Sequence, residues 1–165
     1  IRPHLEYGSV IWSPNLKRDI DAIEKVQRRA TRLVPELRHL AYSDRLKALN
    51  LPTLKFRRER ADIIETYNIL TSKHLLNTDC RCHLCPNKKM FQYSLATQTR
   101  GHSMKLQSQK DTSIRYHFLA ARVVNSWNRL PESTVTQPTL QKFKTALHKQ
   151  WETNTDIYYN YTFSY

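Results

Sequence analysis

Apolar residues return at three- and four-residue intervals over several stretches, and each stretch predicts a helix. In the first, 14–33, Ile20, Ile23, Gln27, Ala30 and Val34 follow helical spacing, and Val26 and Leu33 widen the stripe. Ser13 stands where an N-cap belongs, Pro14 at the first helical position and Pro35 at the stop. A short helix over 44–49 follows, capped by Ser43, and Asn50-Leu51-Pro52 then breaks the chain. Thr53 caps the next helix, 54–71, which sets Leu54, Ala61, Ile64, Tyr67 and Leu70 close to one face. After a long gap, 113–129 carries Ile114, Phe118, Ala121, Val124 and Trp127 on one stripe and closes at Leu130-Pro131. The last helix, 140–151, follows Thr139 and turns Leu140, Phe143, Leu147 and Trp151 inward. Tyr7 and Trp12 occupy apolar helix-edge positions and are expected in the core, as are Tyr67, Phe118, Trp127, Phe143 and Trp151.

The stretch between the second and third long helices breaks this periodicity. Only two glycines occur, Gly8 and Gly101, which favours helices over tight hairpins. The expected fold is therefore mainly α: a small helical bundle with an irregular basic insertion. Phe91–Leu95 and 103–107 are candidate short strands within that insertion. The organisation reads as helical segment 1–71, insertion 72–111, helical pair 112–152 and aromatic tail 153–165. The tail reads equally as a strand, a packing tail or a segment without fixed structure.

Charge changes the picture from a helical domain to one with an anionic partner. There are 27 Lys and Arg against 14 Asp and Glu, a formal net charge of +13. Such an excess favours nucleic acid, although a basic surface also simply aids solubility. Arg28, Arg29 and Arg32 on the first helix and Arg57, Arg58 and Arg60 on the third are candidate phosphate contacts. Lys88, Lys89, Arg100 and Lys105 join them from the insertion, where residues 80–110 hold six Lys or Arg and no acid. The alternative for any one of them is a solvated face with local partners such as Glu24 and Glu59. Lys55, Arg57, Arg58 and Arg60 crowd the first turns of their helix, where cations oppose the dipole. A phosphate, or Glu59 and Asp62, is expected to compensate. Tyr93 and Phe91, within the basic stretch, are candidate base-stacking residues.

Cysteine usage bears on metal and compartment. Cys80, Cys82 and Cys85 are the only cysteines, too few and too close for a disulfide framework, so a reduced intracellular setting is expected. Thiolate and imidazole suit zinc, and the Cys82–Cys85 gap is that of a zinc knuckle. A fourth ligand would come from His74, His83 or His102; the alternative is three incidental thiols. No Gly-rich phosphate loop, H-E-x-x-H or G-x-S-x-G occurs. Asp19, Asp21 and Glu24 share one helix, whereas two-metal sites draw carboxylates from separate elements; they read as salt-bridge partners. No apolar run approaches the ~20 residues that span a bilayer. The start at Ile1, in the middle of a dense run, reads as a chain cut from a longer one.

Several strings resemble the C-terminal region of LINE-type (non-LTR) retrotransposon reverse transcriptases of jockey-like or related clades. They are Arg2-Pro3-His4-Leu5-Glu6-Tyr7-Gly8-Ser9-Val10-Ile11-Trp12-Ser13-Pro14, then Ile23-Glu24-Lys25-Val26-Gln27-Arg28-Arg29-Ala30-Thr31-Arg32. The likeness continues through Tyr42-Ser43-Asp44-Arg45-Leu46-Lys47-Ala48-Leu49-Asn50-Leu51-Pro52-Thr53-Leu54 and Arg57-Arg58-Glu59-Arg60-Ala61-Asp62. It returns at Thr99-Arg100-Gly101-His102-Ser103-Met104-Lys105-Leu106 and at Arg122-Val123-Val124-Asn125-Ser126-Trp127-Asn128-Arg129-Leu130-Pro131, and runs on through the last helix. The resemblance implies a parent RNA-directed DNA polymerase that copies element RNA from a nicked chromosomal primer, with Mg in its palm. Segment 1–71 would be thumb-like, and the chain would grip template RNA and primer duplex beside the upstream palm. Nucleus and cytoplasm are the locations implied. The palm's metal-binding Asp pair lies outside this chain, so no polymerase catalysis is expected of it. The alternatives are a free-standing basic nucleic-acid-binding module, with or without zinc, and a remnant of a decayed element.

Overall fold

The computed structural model describes residues 2–71, 91–94, 101–108, 117–152 and 159. Over these the fold is mainly helical, in the order α1 (Arg2–Glu6), α2 (Ser9–Trp12), α3 (Lys17–Arg32), a 3₁₀ turn (Pro35–Leu37), α4 (Tyr42–Ala48), α5 (Leu54–Thr71), α6 (Leu119–Arg122), α7 (Val124–Asn128), α8 (Glu132–Val135) and α9 (Leu140–Glu152). The chain divides into two compact units, Ile1–Ala61 with His148–Tyr165, and Asp62–Leu147.

In the first unit α3 is amphipathic in an unexpected way. Its buried residues are Ile20, Glu24, Gln27 and Thr31, while Val26 and Leu33 are exposed. The expected apolar stripe is thus rotated toward polar side chains, because those side chains have hydrogen-bond partners on the next elements. Glu24 accepts from the Tyr42 hydroxyl at 2.5 Å and from the Leu54 amide at 3.1 Å. Gln27 Nε2 donates to the Pro52 carbonyl at 3.0 Å, and Arg45 Nε donates to Thr31 Oγ1 at 3.2 Å. A polar group can be buried without large cost only when so satisfied. The helix also starts later than its caps predict: Leu16 is the N-cap and makes no side-chain bond. Ser13 instead closes α2, its amide donating to the Ser9 carbonyl. Tyr7, in the turn after α1, and Trp12, on α2, were expected in the core and are exposed.

α4 begins at Tyr42 with Ala41 as N-cap, so Ser43 lies inside the helix rather than capping it. Its end is a Schellman motif. The Leu51 amide donates to Leu46 O and the Asn50 amide to Lys47 O, with Asn50 at φ 49. Asn tolerates this left-handed conformation better than other side-chain-bearing residues, which is why Asn50-Leu51-Pro52 breaks the chain. α5 has its expected bounds, and Thr53 Oγ1 accepts from the Phe56 amide at 3.2 Å as a cap should. Phe56 meets Trp151 edge-on at 4.9 Å.

The second unit is centred on Trp127 and Phe143, both fully buried, with Ile63, Leu106, Val135 and Leu147. Tyr67 stacks on Phe143 at 4.1 Å, and its hydroxyl donates to Gln137 O. Thr139 caps α9 as expected, its hydroxyl accepting from Lys142 N at 3.3 Å. The single helix expected over 113–129 is two helices here, α6 and α7, separated at Val123, and Phe118 is exposed rather than inward. Residues 113–116 of that helix lie outside the described residues. In place of two strands, a single antiparallel bridge joins Tyr93 and Leu106, flanked by Ser94 N to Lys105 O at 2.8 Å and Gln107 N to Gln92 O at 2.7 Å.

Candidate nucleic-acid interface

The ten basic candidates fall into distinct environments. At 100° per residue, Lys25, Arg29 and Arg32 share an arc of about 60° on α3, and Arg18 falls within it. All four are exposed. Arg18 is paired with Asp19 at 3.3 Å; among the described residues Lys25, Arg29 and Arg32 have no ion-pair partner. The stripe from Arg18 to Arg32 is ~21 Å long at 1.5 Å per residue. Lys25 and Arg18 were readable as part of this stripe from their seven-, four- and three-residue spacing, which a search for Arg-Arg clusters passes over.

Arg28 is turned away from the stripe. Its guanidinium lies 5.0 Å from the Tyr42 ring centroid, and that of Arg45 lies 5.6 Å away. Burial, followed by the hydrogen bond to Glu24, raises the Tyr42 hydroxyl well above its usual 10. Tyr42 therefore stays a neutral donor to Glu24.

On α5 the Arg cluster is internal to the protein. Arg57 forms a two-pronged ion pair with Glu6, its Nε to Oε1 and its Nη2 to Oε2 at 2.7 Å. Arg58 is 3% exposed and Arg60 half-buried. The cations that oppose the helix dipole are thus offset by Glu6 on Arg57 and by the Glu24 carboxylate on the Leu54 amide, with Glu59 4.0 Å from Lys55. Asp62, expected to help there, is paired with Arg122 at 2.8 Å through both oxygens.

Of the insertion's candidates, Lys105 is half-buried and lies across Gly101, which has φ 127. A Cβ on Gly101 would stand 2.5 Å from Lys105 Cε. Lys88, Lys89 and Arg100 lie outside the described residues, as do the zinc candidates Cys80, Cys82 and Cys85 with His74 and His83. His102 is 3% exposed and shares its Nε2 with the Trp127 carbonyl at 3.0 Å. Among the described residues no group of three or more His, Cys, Asp or Glu is placed to hold a metal. Of the two stacking candidates Phe91 is buried, which removes it, and Tyr93 is half exposed.

The segment 101–106 is held against α7 and α8 by side chains. Trp127 Nε1 donates to Met104 O at 2.9 Å, and Asn128 exchanges two bonds with the Leu106 backbone at 2.9 and 2.8 Å. Ser103 donates through N and Oγ to Glu132 at 2.7 and 2.8 Å, holding that carboxyl below its usual range. Parts of the strings quoted above thus meet in pairs: 23–32 with 42–54 in the first unit, and, through Trp127 and Asn128, 101–106 with 122–131 in the second. No protein-family model, curated protein or solved structure matches the chain. No helix among the described residues is long and apolar enough to cross a membrane.

Proposed function

We propose that this chain is the non-catalytic, nucleic-acid-binding C-terminal part of a non-LTR retrotransposon RNA-directed DNA polymerase, and that it grips template RNA and primer duplex during target-primed reverse transcription. The observation that carries the binding role is the division of α3. One face bears Lys25, Arg29 and Arg32 without ion-pair partners among the described residues, beside Arg18, while the opposite face is fixed by Glu24, Gln27 and Thr31. Cations on a rigid helix contact backbone phosphates and release condensed counterions, with little reading of sequence. The parent's identity rests on the resemblance of the quoted strings. In this reading Arg45, Arg57, Arg58 and Arg122 are scaffold, and the basic insertion, with Lys88, Lys89, Arg100 and Lys105, adds a second contact. The exposed Tyr7, Ile11 and Trp12 are the surface that the upstream palm covers.

Fluorescence anisotropy against labelled RNA–DNA hybrid and single-stranded RNA, titrated across salt, tests the binding role. Four phosphate contacts give a slope of log affinity on log salt of roughly −3, about equal for unrelated sequences. A slope near zero overturns it.

A further inference from the structure

The exposed face of α3 carries more than its cations. With Arg18 as origin and 100° per residue, Arg18, Lys25, Arg29 and Arg32 lie between about −40° and +20°. Ala22, Leu33 and Val26 follow at about +40°, +60° and +80°. All three are exposed, Leu33 at 72% and Val26 at 38%. Positions 22, 26, 29 and 33 are separated by four, three and four residues, so Arg29 stands in the apolar row as well as at the edge of the cationic one. The row runs ~16 Å along the helix axis, parallel to the cation stripe. On the other side of the stripe the helix turns through Asp21 and Arg28, both half-buried, to the packed Glu24. Apolar residues therefore border the cations on one side only.

We propose, on the nucleic-acid-binding reading above, that this face takes a single strand rather than a duplex, with phosphates on Lys25, Arg29 and Arg32 and bases against the apolar row. A duplex turns its phosphates outward and keeps its base faces stacked inside, so the cations alone would hold it and the row beside them would meet no base face. In a single strand the base faces are open, and they pack on apolar side chains and on the planes of arginine guanidiniums. Such a strand has a charged side and an apolar side, and α3 presents both in parallel. Arg29, within the row, can serve either. A membrane surface is the poorer fit, because helices that lie in the interface bury large residues such as Trp, Phe and Leu, and two of the three apolar residues here are Ala and Val.

The test measures anisotropy at one salt concentration with labelled single-stranded RNA and with an RNA–DNA hybrid of the same length. It compares the full chain with its Val26→Ser/Leu33→Ser and Lys25→Gln/Arg29→Gln/Arg32→Gln variants. The apolar double variant is expected to lose about tenfold in affinity for the single strand while keeping its Tm and its affinity for the hybrid. The charge variant is expected to weaken both ligands. An apolar variant that weakens both ligands alike, or neither, overturns the single-strand assignment and leaves the nucleic-acid-binding reading in place. An unsubstituted chain that binds neither ligand overturns both. A chain that sediments as a dimer, with the apolar variant a monomer, also overturns the assignment, because a second copy then covers the row.

Discussion

A carboxylate with no exposed surface needs hydrogen bonds in place of its lost water. Glu24 obtains them from Tyr42 and from the first amide of α5, and so ties three elements at one point. Glu24→Gln keeps the shape and removes the charge that makes those bonds strong. Stability is expected to fall by ~1.5–3 kcal/mol in urea titration. The Tyr42 hydroxyl has a further consequence. Its folded pKa lies above its unfolded value of 10, so the stability it contributes is complete below pH 10 and is lost as pH rises beyond. Tyr42→Phe is expected to be less stable at neutral pH yet to show a shallower alkaline decline. Glu132 acts in the opposite direction. Its pKa is lowered from 4.5 by Ser103, so its contribution is present above that value and is lost as pH falls through the folded pKa. Glu132→Gln flattens the acid limb of a stability-against-pH curve.

At the scale of elements, the exposed stripe of α3 and the first turns of α5 both read as basic clusters, but they make opposite predictions. Lys25→Gln/Arg29→Gln/Arg32→Gln should leave thermal unfolding nearly unchanged and reduce the salt slope by roughly 2–3. Arg57→Gln should do the reverse, because its partner Glu6 is a side chain of this protein. It should lower Tm and leave the slope alone. Only Arg29 and Arg32 of the α3 stripe were named from the sequence; 3.6 residues per turn, which fixes which cations share a face, would have added Arg18 and Lys25 and set Arg28 apart. The α5 cluster was not separable in that way: whether Arg57 meets a carboxylate or a phosphate depends on Glu6, 51 residues away. α5 and the last helix were legible because local caps, Thr53 and Thr139, agree with the apolar pattern. α3's start was not, because Ser13 is used by α2.

For the molecule as a whole, the helical class followed from composition and period, while the division into units did not. The two units are assembled from distant stretches: His148–Tyr165 returns to the first, and Asp62 in α5 pairs with Arg122 in the second. That pair is mostly buried, at 19% and 8% exposure. Removing one partner, as in Arg122→Ala, is expected to cost ~3–5 kcal/mol in the second unit, whereas the Arg122→Ala/Asp62→Ala double variant recovers part of the loss in a double-mutant cycle. Two polar–polar matches in the second unit, Asn128 with the Leu106 backbone and Ser103 with Glu132, carry no apolar periodicity, so no reading of hydrophobic pattern could have found them.

The burial of Trp127 also makes it an optical probe. The chain has three tryptophans; Trp12 and Trp151 belong to the first unit, and Trp127, with no exposed surface, belongs to the second. With Trp12→Phe and Trp151→Phe in place, all remaining indole emission comes from one site, shielded from iodide and blue-shifted while the 101–106 segment stays docked. A red shift then reports the release of that segment alone, and adding RNA while watching this one fluorophore reads out whether ligand binding on α3 is felt in the second unit.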